Sequence, residues 1–106
     1  MQIYIKKITM LLTPNEIEIG LKNVLNWTLI DHALEKKFVF KNFKEAMLFI
    51  NKIAIVAEEQ KHHPEWTNVY NRLTIKLSTH DFGGITQKDF DLARAIDEVN
   101  NDKIKI

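Results

Sequence analysis

The chain has 106 residues, enough for one domain and too few for two ordinary ones. Hydrophobic residues make up 45% and charged residues 27%, a globular balance, and a formal charge of +1 provides no basic surface for nucleic acid or an anionic membrane. There is no cysteine, which excludes disulfides, thiolate metal sites and thiol nucleophiles.

In chain order, residues 1–12 hold Lys6-Lys7 and a short apolar piece, residues 8–12, without the h-region and cleavage site of a signal peptide. No segment approaches the length of a membrane span, so the expectation is a soluble cytoplasmic protein with a single domain over residues 1–106. Thr13-Pro14-Asn15-Glu16 then places a hydroxyl at N-cap, Pro at N1 and Glu at N3, a capping box. Ile17, Leu21, Val24 and Leu25 follow at helical spacing. Strand-like pieces at residues 27–30 and 37–40 flank a polar turn at 31–36.

Asn42-Phe43-Lys44-Glu45 opens a second helix that runs to about Gln60. Phe43, Met47, Ile50, Ala54 and Ala57 form a stripe sufficient to cover a sheet, while Leu48, Phe49, Ile53, Ile55 and Val56 lie outside it. A helix apolar nearly all round is normally buried on more than one side. The surplus reads as a subunit contact, the alternative being cover by the other two helices.

Strands at residues 66–70 and 73–77 flank an Asn71-Arg72 turn, and Leu73, Ile75 and Leu77 alternate with polar residues. Thr86-Gln87-Lys88-Asp89 begins a third helix with Phe90, Ala93, Ile96 and Val99 on one side. The order α-β-β-α-β-β-α predicts an α+β domain: a four-stranded antiparallel sheet with three helices packed on one face.

The four histidines are His32, His62, His63 and His80. His62-His63-Pro64 directly follows the second helix and His80-Asp81 the last strand, positions where loops carry function on a rigid scaffold. An unperturbed imidazole titrates near neutrality, so two converging histidines can serve as general acid and general base. Spacing alone leaves open that they are ordinary surface residues. A metal site would have His62, His63, His80, Asp81 and Asp89 to draw on. Adjacent residues of an extended segment point to opposite sides, however, and no pair of histidines stands at i and i+4, so no metal is expected. Gly83-Gly84 reads as a tight loop needing positive φ rather than as an anion cradle. Asp89 at N3 can complete a capping box with Thr86.

The run Glu58-x-x-x-His62-His63-Pro64, with Tyr70, then Leu77-Ser78-Thr79-His80-Asp81, Gly83-Gly84-Ile85-Thr86 and Asp89, resembles the signature of the pterin-4a-carbinolamine dehydratases. The stretch from Phe38 to Met47 is similar to that family's second strand and helix start, and the resemblance covers about residues 25–99. Trp27 is preceded by Asn26, where the family usually has Gly.

The resemblance implies an enzyme with neither metal nor bound cofactor that dehydrates a 4a-hydroxytetrahydropterin to the quinonoid dihydropterin. It implies catalytic roles for His62, His63 and His80, with His62 and His80 as the acid–base pair and His63 orienting the ring or sharing the acid role. Lys61, His62, His63, Pro64, Ser78, Thr79, His80 and Asp81 would hold the pterin, with Glu58 and Asp89 at the edge. Trp27 and Trp66 are candidates for an aromatic wall, or partly buried structural residues. The expected partners are the small-molecule pterin and further copies of the chain, as a homodimer or homotetramer through the second helix and a sheet edge. Neither nucleic acid nor membrane is expected. Two alternatives accompany the resemblance: a binding module acting as a dimerisation cofactor of a transcription factor, as in some animal members, and pterin handling in molybdopterin metabolism.

Overall fold

The structure, a computed structural model, describes residues 10–104; the stretch read for a leader therefore lies, up to residue 9, outside the described residues. The elements are α1 (Pro14–Leu21), β1 (Thr28–Ile30), β2 (Ala33–Val39), α2 (Phe43–Gln60), β3 (Glu65–Val69), β4 (Arg72–Leu77), a single 3-10 turn (His80–Phe82) and α3 (Gln87–Ile104). This is the expected α-β-β-α-β-β-α order.

Each helix begins where its cap says it should. The Thr13 backbone N–H donates to Glu16 Oε1 (2.8 Å) and the Glu16 N–H to Thr13 Oγ1 (3.1 Å), closing a capping box around Pro14. Asn42 Oδ1 accepts from the Glu45 N–H (2.9 Å) at the start of α2. α1 stops at Leu21, earlier than the helical spacing of Val24 and Leu25 implied: Val24 turns into the core and Leu25 is left exposed.

The sheet order is β1-β2-β4-β3, all neighbours antiparallel. The first hairpin turn is only Asp31-His32, both at positive φ (50° and 65°), the backbone of a tight two-residue turn. β2 thus begins at Ala33, not at residue 37. Lys36 hides the alternation, because Leu34, Lys36 and Phe38 are all buried on one face. The second turn is Tyr70-Asn71 rather than Asn71-Arg72, with Tyr70 at φ 52°. Asn26 sits at φ 64°, a left-handed conformation that Gly adopts freely and Asn better than most other residues. The departure from the family's Gly therefore keeps the turn.

One continuous core joins Leu34 and Phe38 of β2, Leu73, Ile75 and Leu77 of β4, and the inner faces of α2 and α3. α2 buries Ala46, Phe49, Ile50, Ile53 and Ala57. The stripe assigned from sequence is thus rotated: Phe43 and Ala54 are exposed, while Phe49 and Ile53, counted as surplus, lie in the core. α3 contributes Phe90, Leu92, Ala93 and Ile96, and α1 joins the same layer against Phe90. A Cβ on Gly20 would stand 2.6 Å from Phe90 Cζ, so that close approach requires glycine. Among the described residues no helix is long and apolar enough to cross a membrane.

Candidate active site

Three chain ends meet at one end of the sheet. α2 terminates with Lys61 in the left-handed conformation (φ 53°, ψ 40°), its N–H and that of His62 turned back onto carbonyls of the last helical turn. That reversal carries the chain away from the helix axis and gives His62 and His63 different surroundings. His62 is buried and His63 exposed. β4 ends at Leu77, and residues 79–84 fold back on themselves through the Thr79 N–H to Gly84 O bond (2.8 Å). Gly83 holds φ 67°, the positive-φ loop expected of Gly83-Gly84. α3 then starts at Gln87.

Lys61, His62, His63, Ser78, Thr79, His80, Asp81 and Lys88 line a single open cleft of about 210 Å³. The three histidines that sequence could only place at element ends are therefore neighbours of one cavity.

Behind the cleft wall lies a buried polar cluster. His62 Nε2 is 2.6 Å from Asp89 Oδ1. Asp89 is fully buried, and its Oδ2 accepts from the Thr86 backbone N–H (2.9 Å) and the Thr79 hydroxyl (2.9 Å). Thr79 Oγ1 and Thr86 Oγ1 are 2.7 Å apart. Asp89 therefore makes the side-chain half of the expected box at the start of α3, and the same carboxylate holds His62. Thr86 Oγ1 takes the Lys88 N–H (3.3 Å) in place of the Asp89 N–H. His63 Nε2 pairs with Glu58 Oε1 at 2.8 Å, but both side chains are largely exposed, so water competes strongly with that contact.

The tryptophans stand apart from the lining. Trp27 is buried against the edge of Phe38, and its Nε1 donates to both carboxylate oxygens of Asp97 (3.1 Å each). Asp97 lies eight residues beyond Asp89 on α3, about 12 Å further along the helix axis. Trp66 is half-buried against the core beside Ile75. Pro64 is half-buried just after the histidine pair.

Lys88 is a lining residue that sequence reading missed, although a signal was present. A cation in the first turn of a helix opposes the helix dipole, a small cost that invites a reason. Among the described residues no three His, Asp or Glu side chains converge as a metal-ligand set. The arrangement offers one imidazole anchored to a buried carboxylate and two freer imidazoles facing the same space. That is apparatus for moving protons on a small molecule.

The family profile described as pterin 4 alpha carbinolamine dehydratase matches residues 10–99. A protein of Prochlorococcus marinus provisionally named pterin-4-alpha-carbinolamine dehydratase is 49% identical over 89 residues, 84% of this chain and 93% of that one. A protein of Christiangramia forsetii with the same provisional name is 49% identical over 88 residues, 83% of this chain and 91% of its own. Among solved structures, one from Brucella melitensis described as a transcriptional coactivator/pterin dehydratase superposes with a TM-score of 0.81 at 36% identity, covering 84% of this chain and 97% of that one.

Proposed function

The chain belongs to the pterin-4a-carbinolamine dehydratase family, and from that premise we propose that it removes water from a 4a-hydroxytetrahydropterin to give the quinonoid dihydropterin. The observation that carries this reading is the meeting of His62, His63 and His80 in one cleft. Dehydration breaks the C4a–O bond while N5 loses its proton, so one group must protonate the departing hydroxyl and another must accept the N5 proton. His62 suits the base, because an imidazolium formed there lies against the Asp89 carboxylate. His80, exposed on its one-turn helix, suits the acid, with His63 orienting the ring or sharing the acid role. Backbone and side chains of residues 61–63, 78, 80 and 81, with the backbone of residue 79, hold the pterin, and the chemistry asks for no metal or bound cofactor. The enzyme works as a single cytoplasmic domain recycling tetrahydropterin.

The test is the dehydration of freshly generated 4a-hydroxytetrahydropterin, followed by absorbance with and without the protein. A folded protein that gives no acceleration over buffer would overturn the dehydratase reading.

The exposed remainder of α2 supports a second part of the proposal, self-association. Leu48 and Ile55 are one heptad apart, 49% and 63% exposed, and Phe43 is exposed on the same helix. A homodimer or homotetramer that packs α2 against its copies, with a sheet edge as the other contact, covers these side chains. Sedimentation velocity is expected to show a dimer or tetramer for the wild type and a smaller species for Ile55→Glu. A wild type that sediments as a monomer at micromolar concentrations would remove this part.

A further inference from the structure

The buried cluster behind His62 has a proton inventory that can be completed, because most of its donors are committed. Two donors reach Asp89 Oδ2: the Thr86 backbone N–H, which can only donate, and the Thr79 hydroxyl at 2.9 Å. With its hydrogen directed at Asp89, Thr79 Oγ1 has only lone pairs left for the 2.7 Å contact with Thr86 Oγ1, so Thr86 is the donor there. Thr86 Oγ1 in turn accepts from the Lys88 backbone N–H at 3.3 Å. The hydrogens therefore run one way, from Lys88 N–H to Thr86 to Thr79 to Asp89.

The 2.6 Å contact between Asp89 Oδ1 and His62 Nε2 shares one hydrogen. Asp89 Oδ2 already accepts two hydrogens, the pattern of an ionised carboxylate, so the shared hydrogen is carried by the ring nitrogen. Every buried side-chain nitrogen and oxygen among the described residues has a partner. His62 Nδ1 has none among the described residues, so it is not enclosed and opens to solvent, and the cleft is the space that His62 lines.

We infer that Thr79 and Thr86 are positioning residues, whose hydroxyls form a one-way donor chain that holds Asp89 as acceptor, locks His62 with Nε2–H inward and makes Nδ1 the nitrogen that exchanges a proton with substrate. The Thr79 side chain, which the resemblance would place on the pterin, is spent on this chain. The kinetic consequence rests on the dehydratase reading; the tautomer does not. Both threonines are buried, with Thr86 0% exposed, which keeps water from replacing a lost donor.

The experiment compares wild type, Thr79→Ser and the near-isosteric Thr79→Val, each checked for folding by circular dichroism. Long-range ¹H–¹⁵N spectra of the histidine rings at alkaline pH read the tautomer. His62 is expected as Nε2–H in wild type and Thr79→Ser, and as a mixture of tautomers in Thr79→Val. In the dehydration assay Thr79→Val is expected to lower kcat roughly tenfold, the order of one hydrogen bond to a charged group, with KM within about twofold. Thr79→Ser restores the rate. A wild-type Nδ1–H tautomer, or a Thr79→Val protein with wild-type tautomer and kcat, would overturn the inference. If wild type proves inactive as a dehydratase, that reading falls, and the spectra of Thr79→Val still decide the donor chain.

Discussion

Replacing His62 or His80 by alanine is expected to lower kcat for dehydration by about a hundredfold or more in each case, the usual worth of a general acid or base. Both rings line the cleft with Lys61, His63 and Asp81, so neither loss is made good by a neighbour on the same atom. The two substitutions differ in their second effect. His62→Ala also strips Asp89 Oδ1 of its donor inside a fully buried site, and a drop in stability should accompany the drop in rate. His80 is exposed at the start of its 3-10 turn, and its loss should leave the unfolding midpoint nearly unchanged. His63→Ala, on the rim with Glu58, should lose less than either. The double variant His62→Ala/His80→Ala should fall little below the singles, because an acid and a base that act in one step are not additive. Absorbance-monitored kinetics with urea titration of each variant checks the whole pattern. Wild-type kcat in both single variants would remove these histidines from the chemistry.

What the sequence disclosed follows from how local each signal is. The helix starts at Thr13, Asn42 and Thr86 were legible because a cap is a contact among four consecutive residues. The start of β2 was not, because Lys36 reads as a turn residue until its tertiary partner is known. With Asp97 opposite, the same lysine continues the inward face of the strand. The face of α2 was misjudged for a related reason. A helix apolar nearly all round fits several stripes equally, and only the packed sheet and α3 select Ala46, Phe49, Ile50, Ile53 and Ala57. At the site, spacing put His62, His63 and His80 at chain ends but said nothing of convergence, which depends on the left-handed Lys61 and the fold-back from Thr79 to Gly84. The resemblance to a family supplied that step. Lys88 escaped notice because its interest lies in opposing a helix dipole, a signal only as good as the assignment of the helix start.

Asp97 carries the largest expected effect on stability. Its carboxylate holds Lys36 Nζ at 2.8 Å and accepts Trp27 Nε1 on both oxygens, and the same ammonium stands 5.8 Å from the Trp27 ring centroid and 5.0 Å from that of Phe38. The Lys36 side chain is 9% exposed, so the ammonium has little water to replace a lost partner. Asp97→Ala would leave that charge and the indole N–H without an acceptor, and the expected loss is about 3 kcal/mol, near the lower end for breaking a buried pair because Asp97 itself is 17% exposed. For a domain of this size that is a large fraction of the total stability. The pair as a whole contributes much less than this, since two charges were desolvated to make it. The companion variant Lys36→Met/Asp97→Asn removes both charges, keeps an oxygen for Trp27 Nε1 and retains an unbranched apolar side chain beside the two rings. It should therefore recover most of the lost stability. Urea denaturation read by tryptophan fluorescence separates the cases. An Asp97→Ala protein within about 0.5 kcal/mol of wild type would mean that the pair behaves as an exposed one, with water reaching Lys36 after all.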